Sequence, residues 1–450
     1  MAEPLAGCSL SFGTDGIRGR ADAFPFTDSA LVALGYAIGQ WAQQTGKKIP
    51  RVVIGSDTRQ SGERIKNSLC SGLIQGGGCH VRDVGVLTTP GIFRIISGDM
   101  LCDLGIVISA SHNPYHDNGI KLFDARRCKI TSTDEKKITH AFEQCCGLVN
   151  VRAQELSVER WPEAAARYQQ DMMAHFKPLF LQNVKVVLDC ANGAAYKIAP
   201  EIFRALGATV ITIADTPNGT NINDNCGSLH PEELARVVVA HGADAGFAFD
   251  GDADRVIAVN RLGMIKDGDD ILTLLLNLPS YQNIAHVVGT LFTNKGFEEY
   301  LVGQGKHLFR TKVGEKYVAS KLEEENLPLG GEVSGHIITR DYSATGDGIF
   351  VALKVLEAII ATHNWDMVTF KKFPQVLINV PVRHKHDLAL QPYAALIEEY
   401  ERTMSPGRVI VRYSGTEPLL RVMTEAPTHE QAHCVAKKLA EALQKALETS

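Results

Sequence analysis

Three stretches of the chain share one polarity pattern. RVVIGSDTR (51–59), KVVLDCANGA (185–194) and HVVGTLFTNKG (286–296) each start with an apolar, β-branched run, pass a short polar or glycine-containing turn, and lead into helical spacing. Such runs read as buried strands, and their alternation with helices predicts α/β units on largely parallel sheets. Sheets of that kind place their ligand loops at the C-terminal ends of strands. Beyond about residue 368 the pattern changes. PQVLINVPVRH predicts a strand, 388–402 a helix, RVIVRYS and LLRVMTEA two strands, and the segment from Thr428 a closing helix. The expected fold is therefore α/β. Three similar α/β domains with mixed, mostly parallel sheets occupy 1–155, 156–256 and 257–368, and a smaller C-terminal α+β domain occupies 369–450.

Bulk properties narrow the setting. At 450 residues the length alone suggests about three domains, and 45% hydrophobic with 22% charged residues is ordinary for globular protein. A net charge of −5 without a basic stripe argues against nucleic acid as a partner. No apolar run approaches the ~20 residues of a membrane span, and MAEPLAGCSLSFG lacks the layout of a signal peptide. The cysteines, scattered through apolar segments without a CxxC pair, read as small core hydrophobes in a reducing compartment. A cytoplasmic protein is expected.

Two loops carry the candidate chemistry. Gly246-Phe247-Ala248-Phe249 predicts a short strand ending at Asp250, and Gly251 is expected to let the backbone turn tightly there. Asp250, Asp252 and Asp254 alternate through the loop, so their carboxylates can converge on one hard cation such as Mg²⁺. The loop lacks the twelve-residue ligand pattern of an EF-hand. Leu104–Ile108 predicts a second apolar strand, with Ser111 just past its end and Pro114 and Gly119 tightening the loop. A serine, a cation site and Lys121 together supply the alignment and charge neutralisation that phosphoryl transfer needs. No Gly-x-Ser-x-Gly elbow surrounds Ser111, which argues against a hydrolase.

Two more loops fit a sugar phosphate. Gly330-Gly331-Glu332-Val333-Ser334-Gly335-His336 offers short polar side chains suited to vicinal hydroxyls. Arg412-Tyr413-Ser414-Gly415-Thr416-Glu417-Pro418, with Arg421 beyond, offers guanidinium, hydroxyl and backbone N–H donors to a phosphate. A competing signal is His429-Glu430-Gln431-Ala432-His433, which fits the H-E-x-x-H zinc pattern. Thr428 reads there as an N-cap, and Ala432, Val435, Ala436, Leu439, Leu443 and Leu447 form the buried stripe. Both histidines then fall on the wet side, and a surface helix is the expected outcome.

FGTDGIRGR (12–20), ISASHNP (108–114), DGDADR (250–255), GEVSGH (331–336) and RYSGTEP (412–418) together resemble the α-D-phosphohexomutase superfamily, in its order and over the whole chain. GTLFTNKG, KVGEKYV, ATGDGI and FPQVLINV are similar to its bacterial branch acting on glucosamine phosphate. The resemblance implies three related α/β domains and a smaller fourth around a central cleft. It implies that Ser111 carries a phosphoryl group exchanged with glucosamine 6-phosphate through a bound 1,6-bisphosphate, giving glucosamine 1-phosphate for UDP-N-acetylglucosamine and the cell wall. Glucosamine or glucose 1,6-bisphosphate would be the activator. Asp250, Asp252 and Asp254 with Ser111 would hold Mg²⁺, and Arg18, Lys121 and Arg255 would lie near the transferring group. None of those three is singled out as the general base. Glu332, Ser334 and His336 would bind the sugar, and Arg412, Ser414, Gly415, Thr416 and Arg421 the non-reacting phosphate. Val333 stands where close relatives are often polar, which bears on sugar preference. The same mechanism on glucose or mannose phosphate is the alternative. The partner is a small-molecule sugar phosphate, with no nucleic acid and no membrane, and a homodimer is left open.

Overall fold

The apolar run at 104–108 forms the strand Leu104–Ile108 in the computed structural model, in which residues 10–13, 15–44, 49–98, 102–124, 128–147, 158–414 and 418–448 are described. All five of its residues are buried, as a strand covered on both faces requires. It lies within a sheet ordered Ile17–Arg20, Asp117–Asp124, Leu104–Ile108, Arg51–Ser56, His80–Val86, Val158–Arg160. Pairing is parallel from Leu104–Ile108 out to Val158–Arg160. Asp117–Asp124 turns back antiparallel beside Leu104–Ile108, and Ile17–Arg20 runs antiparallel to it in turn.

The second sheet repeats the scheme. Lys185–Asp189 pairs in parallel with Thr209–Ile213 and with Ala245–Phe249, and Val256–Asn260 returns antiparallel. In the third, His286–Thr290 is parallel to Leu329–Gly331, which Ile337–Thr339 pairs antiparallel. The three runs that define the α/β pattern thus become the strands Arg51–Ser56, Lys185–Asp189 and His286–Thr290. By contact density the chain forms two compact units, Met1–Leu291 with Arg310–Val368, and Phe292–Phe309 with Thr369–Ser450.

The second unit holds the β-α-β-β-α set: Gln375–Pro381, helix Tyr393–Thr403, Arg408–Tyr413, Leu419–Glu425 and helix His429–Glu448. Its strands order as Gln375–Pro381, Leu419–Glu425, Arg408–Tyr413, all antiparallel. The Thr428 hydroxyl accepts from the Gln431 N–H at 3.3 Å, and Ala432, Ala436, Leu439 and Leu443 are buried, while His429 and His433 are exposed. The zinc pattern is a surface helix, as the stripe predicts. No helix among the described residues is long and apolar enough to cross a membrane.

Each of the four candidate loops is the connection of an antiparallel pair. Residues 109–116 join Leu104–Ile108 to Asp117–Asp124, and 250–255 join Ala245–Phe249 to Val256–Asn260. Residues 332–336 join Leu329–Gly331 to Ile337–Thr339, and 414–418 join Arg408–Tyr413 to Leu419–Glu425. In the first three loops the chemistry sits at antiparallel returns on mixed, mostly parallel sheets, not at strand-to-helix crossovers, while the fourth belongs to an all-antiparallel sheet.

Candidate active site

Ser111 occupies the left-handed region of the backbone, φ 54°, which side-chain-bearing residues enter only when their surroundings hold them there. It is buried, and its Oγ donates to Asp250 Oδ2 at 2.5 Å, with His112 Nδ1 3.3 Å away. The serine and metal loops, expected to meet, do so directly.

Asp250, Asp252 and Asp254 each present a carboxylate oxygen within 4.8 Å of the others, and all three are buried. Among the described residues this is the one group of histidine, cysteine or acidic side chains so arranged. Asp252 Oδ1 is buried without a hydrogen-bond partner, and Asp254 Oδ1 has ion-pair contacts with His336 Nδ1 at 3.5 Å and Arg255 Nε at 3.9 Å. Buried carboxylate oxygens left open are costly unless a cation takes them, so this oxygen-only set fits Mg²⁺. Burial, with Asp254 and Asp252 close by, pushes the Asp250 carboxyl well above the usual carboxylate range. Burial would raise Asp254 as well, but Lys121 and His336 hold it well below that range.

Gly251 has a different role from the one its sequence suggests. The left-handed residue of the metal loop is Ala253, φ 57°, so the tight turn does not depend on the glycine. What Gly251 supplies is space: a Cβ there would lie 2.6 Å from the Ser111 carbonyl oxygen. Only a bare backbone lets the two hairpin tips approach this closely.

Lys121 is buried and its Nζ reaches Asp252 Oδ2 at 2.8 Å, Asp254 Oδ2 at 2.9 Å and Asp15 at 3.1 Å. Burial would lower its pKa, but the three carboxylates raise it well above the ordinary lysine value. It therefore stays an ammonium near neutral pH. Asp15 also pairs with Arg18 at 2.5 Å and with Lys129 at 2.5 Å. Lys129 goes on to Glu315, and Glu315 to His336 Nε2 at 3.2 Å. Burial would lower the His336 ring, yet Glu315 and Asp254 on either side push it up to about 10. A closed ring of alternating charge results: Asp254, Lys121, Asp15, Lys129, Glu315, His336.

A cleft of about 590 Å³ opens beside this ring, lined among others by Arg18, His112, Arg255, Glu332, Ser334 and His336. Five sequence candidates, Arg18, Arg255, Glu332, Ser334 and His336, thus come together with the serine and metal loops. Glu332 is buried and its Oε1 accepts the Gly314 N–H at 2.8 Å. His336 keeps both ring nitrogens on carboxylates. Burial, and then Arg255 and Arg18, push the His112 ring down to about 4, so it is neutral near pH 7.

In the second unit Arg412 and Arg421 stand directly opposite on neighbouring strands. Like charges so placed repel, which favours an anion between or above them. Arg412 lies over the Phe292 ring, 5.0 Å from its centre. Ser414 is buried and its carbonyl accepts from Lys385 Nζ at 2.8 Å, a cation absent from the sequence candidates. Gly415 and Thr416 lie outside the described residues.

Several site residues escaped the sequence reading: His112, Asp15, Lys129 and Glu315 above, and Asp57, Arg59 and Asn223, which hold the serine loop. SDTR (56–59) does follow a predicted strand end, the one available signal for Asp57 and Arg59. Asn223 sits in an asparagine-rich turn that composition reads as a plain loop.

Models of the phosphoglucomutase/phosphomannomutase family match nearly the whole chain. The α/β/α domains I, II and III match residues 9–145, 166–263 and 267–372, and the C-terminal domain matches 377–442. The chain belongs to this family of phosphohexomutases, isomerases that move a phosphoryl group within a sugar phosphate. Curated proteins named phosphoglucosamine mutase are similar throughout. That of Acinetobacter baumannii (strain AYE) is 42% identical over 96% of this chain and 98% of its own. That of Citrifermentans bemidjiense is 42% identical over 95% and 96%. Among solved structures, a phosphoglucomutase/phosphomannomutase family protein of Burkholderia thailandensis has a TM-score of 0.76 at 23% identity, over 96% of this chain and 97% of that one. An N-acetylphosphoglucosamine mutase of Aspergillus fumigatus, in complex with GlcNAc-6P and magnesium, has a TM-score of 0.62 at 19% identity, over 98% and 97%.

Proposed function

We propose that the protein interconverts glucosamine 6-phosphate and glucosamine 1-phosphate by phosphoryl exchange with Ser111. The observation that carries the chemistry is the 2.5 Å contact of the Ser111 hydroxyl with a buried three-carboxylate cluster. The relatives' shared name supports the sugar. In the forward direction the Ser111 phosphoryl passes to O1 of glucosamine 6-phosphate, whose hydroxyl gives up its proton. The bisphosphate then presents its 6-phosphoryl to the Ser111 hydroxyl, which loses its proton and is phosphorylated again, leaving glucosamine 1-phosphate.

Asp250, Asp252 and Asp254, with an oxygen on Ser111, would hold Mg²⁺, which supplies charge neutralisation when bound. Lys121, Arg18 and Arg255 stabilise the charge of the transferring group. None of them suits a general base: Lys121 is held as an ammonium and the other two are guanidiniums. Asp250 Oδ2 and His112 Nδ1 are the atoms within reach of the Ser111 proton. Glu332 and Ser334 bind sugar hydroxyls, while His336 joins the sugar loop to Asp254. Arg412, Ser414, Arg421 and Lys385, with Gly415 and Thr416, hold the non-reacting phosphate. Glucosamine or glucose 1,6-bisphosphate serves as activator, and a cytoplasmic location follows from the substrates. The half-buried Val333 removes one possible polar contact from the sugar loop, which favours a second, weaker activity on glucose phosphate.

Phosphopeptide mass spectrometry of purified protein should find a phosphoryl group on Ser111. In the same samples kcat/KM for glucosamine, glucose and mannose 6-phosphates should rank glucosamine first. Full activity of Ser111→Ala with sugar bisphosphate supplied would overturn the covalent route. A glucose or mannose value above that for glucosamine would reassign the sugar alone.

A further inference from the structure

Both backbone groups of Ser111 are held by side chains, the buried Ser109 and Arg59 and the half-buried Asn223. Its N–H donates to Ser109 Oγ at 2.9 Å, and Ser109 Oγ donates to Asp57 Oδ2 at 2.6 Å. Its carbonyl accepts two donors, Arg59 Nη2 at 3.0 Å and Asn223 Nδ2 at 2.9 Å. The same two nitrogens reach the Asn113 carbonyl, at 2.7 and 3.1 Å. Arg59 Nη1 continues to the carbonyls of Asp117, at 3.0 Å, and Pro114. The guanidinium is fully buried and oriented by Asp57 Oδ2 at 2.9 Å.

The two clamps come from different sheets. Arg59 follows the strand Arg51–Ser56 of the first sheet. Asn223 belongs to the segment after Thr209–Ile213 of the second, anchored by its own N–H on the Ala191 carbonyl at 2.9 Å. A residue with a side chain at φ 54° costs on the order of 1 kcal/mol relative to its relaxed form. Four hydrogen bonds, from two side-chain nitrogens to the carbonyls of Ser111 and Asn113, are what keep it there. Released from them, Ser111 would relax toward the ordinary backbone regions and swing its Oγ off the line to Asp250.

We propose that Arg59 and Asn223 are positioning residues for phosphoryl transfer, clamping the Ser111 and Asn113 carbonyls so that the serine oxygen stays aimed at the metal cluster. Neither donates to the serine oxygen itself. The inference rests on the reading of Ser111 as the phosphoryl carrier and adds the residues that hold it. Only a forked donor can reach four carbonyls at once, so a lysine at 59 keeps the charge and loses the clamp.

The test measures kcat, KM for glucosamine 6-phosphate, Tm, and the rate at which glucose 1,6-bisphosphate phosphorylates Ser111. Asn223→Ala should lower kcat and the phosphorylation rate together, by about 10- to 100-fold, with KM within about twofold. Asn223→Asp has the same shape but turns a carboxylate oxygen toward two carbonyls, and should be slower still. Arg59→Lys should lose about 100-fold or more in both rates. The Asn223 pair decides the matter if Arg59→Lys fails to fold. Wild-type kcat and phosphorylation rate in both Asn223 variants would overturn the clamp. So would a loss seen only as lowered Tm. If wild-type protein takes no phosphoryl on Ser111, the reading of the nucleophile falls first, and the clamp with it.

Discussion

Lys121 shows how one residue type takes opposite roles by placement. In the sequence it is a cation ten residues after a serine, a candidate for charge stabilisation or proton transfer. Buried against Asp15, Asp252 and Asp254, it is held protonated and offsets the repulsion inside the cluster that faces Ser111. Removing one partner of a buried charge set leaves the others uncompensated, typically a loss of about 3–5 kcal/mol. Lys121→Met should therefore lower Tm sharply in EDTA, and added Mg²⁺ should recover part of the loss. Its kcat should fall by about 100- to 1,000-fold. Thermal melts at increasing Mg²⁺ check the first part, and a Tm indifferent to the substitution in EDTA would contradict it.

Hairpin tips meeting back to back place their own demand on the sequence. A Cβ on Gly251 would lie 2.6 Å from the Ser111 carbonyl oxygen, 2.8 Å from Ile222 Cδ1 and 2.9 Å from Asn223 Nδ2. Gly251→Ala must push the metal loop off the serine loop, at a cost of about 1–3 kcal/mol in stability. A displacement of that kind should lower kcat by about 100-fold while leaving KM nearly unchanged, as steady-state kinetics can show. The strands around these loops were readable because burial on both faces leaves an uninterrupted apolar run, as at 104–108 and 245–249. The loop residues with chemistry stood out by their combination, three alternating aspartates with a serine and a lysine, since serine or aspartate alone is an ordinary turn residue. Arg59, Asn223 and Glu315 did not stand out. Each acts through a partner more than fifty residues away or through backbone carbonyls, and neither leaves a local pattern. The glycine was noticed for the wrong reason, since a short-range reading finds turns and cannot find a distant chain passing by.

Within the first unit the sheets are also joined away from the cleft, and that junction has its own pH dependence. Tyr168, on the helix Ala164–Met173, donates its hydroxyl to Asp347 Oδ2 at 2.7 Å, and Asp347 Oδ1 caps the helix Gly348–Thr362 by accepting the Phe350 N–H at 3.1 Å. Both side chains are buried, and burial raises the Asp347 carboxyl from 3.8 to about 6, more than the bonds from Phe350 and Tyr168 lower it. A carboxyl with a raised pKa holds its proton longer in the folded state than in the unfolded chain. Its contribution therefore favours folding below about pH 4, and declines as pH rises from 3.8 through 6. Above that window the penalty is constant, at roughly 3 kcal/mol for a shift of this size. Asp347→Asn removes the ionisation and keeps an oxygen for the helix cap, while the tyrosine hydroxyl can accept from the new amide. The depressed carboxyls of Asp15, Asp254 and Glu315 slope the other way, but they are common to both proteins and cancel in the difference. The Asn variant should accordingly gain stability relative to wild type between pH 4 and pH 6.5, and match or exceed it at pH 7.5. Denaturant midpoints across that range measure the difference. A variant that loses ground as pH rises would mean that Asp347 is ionised and needed as a charge at the junction, contrary to the burial argument.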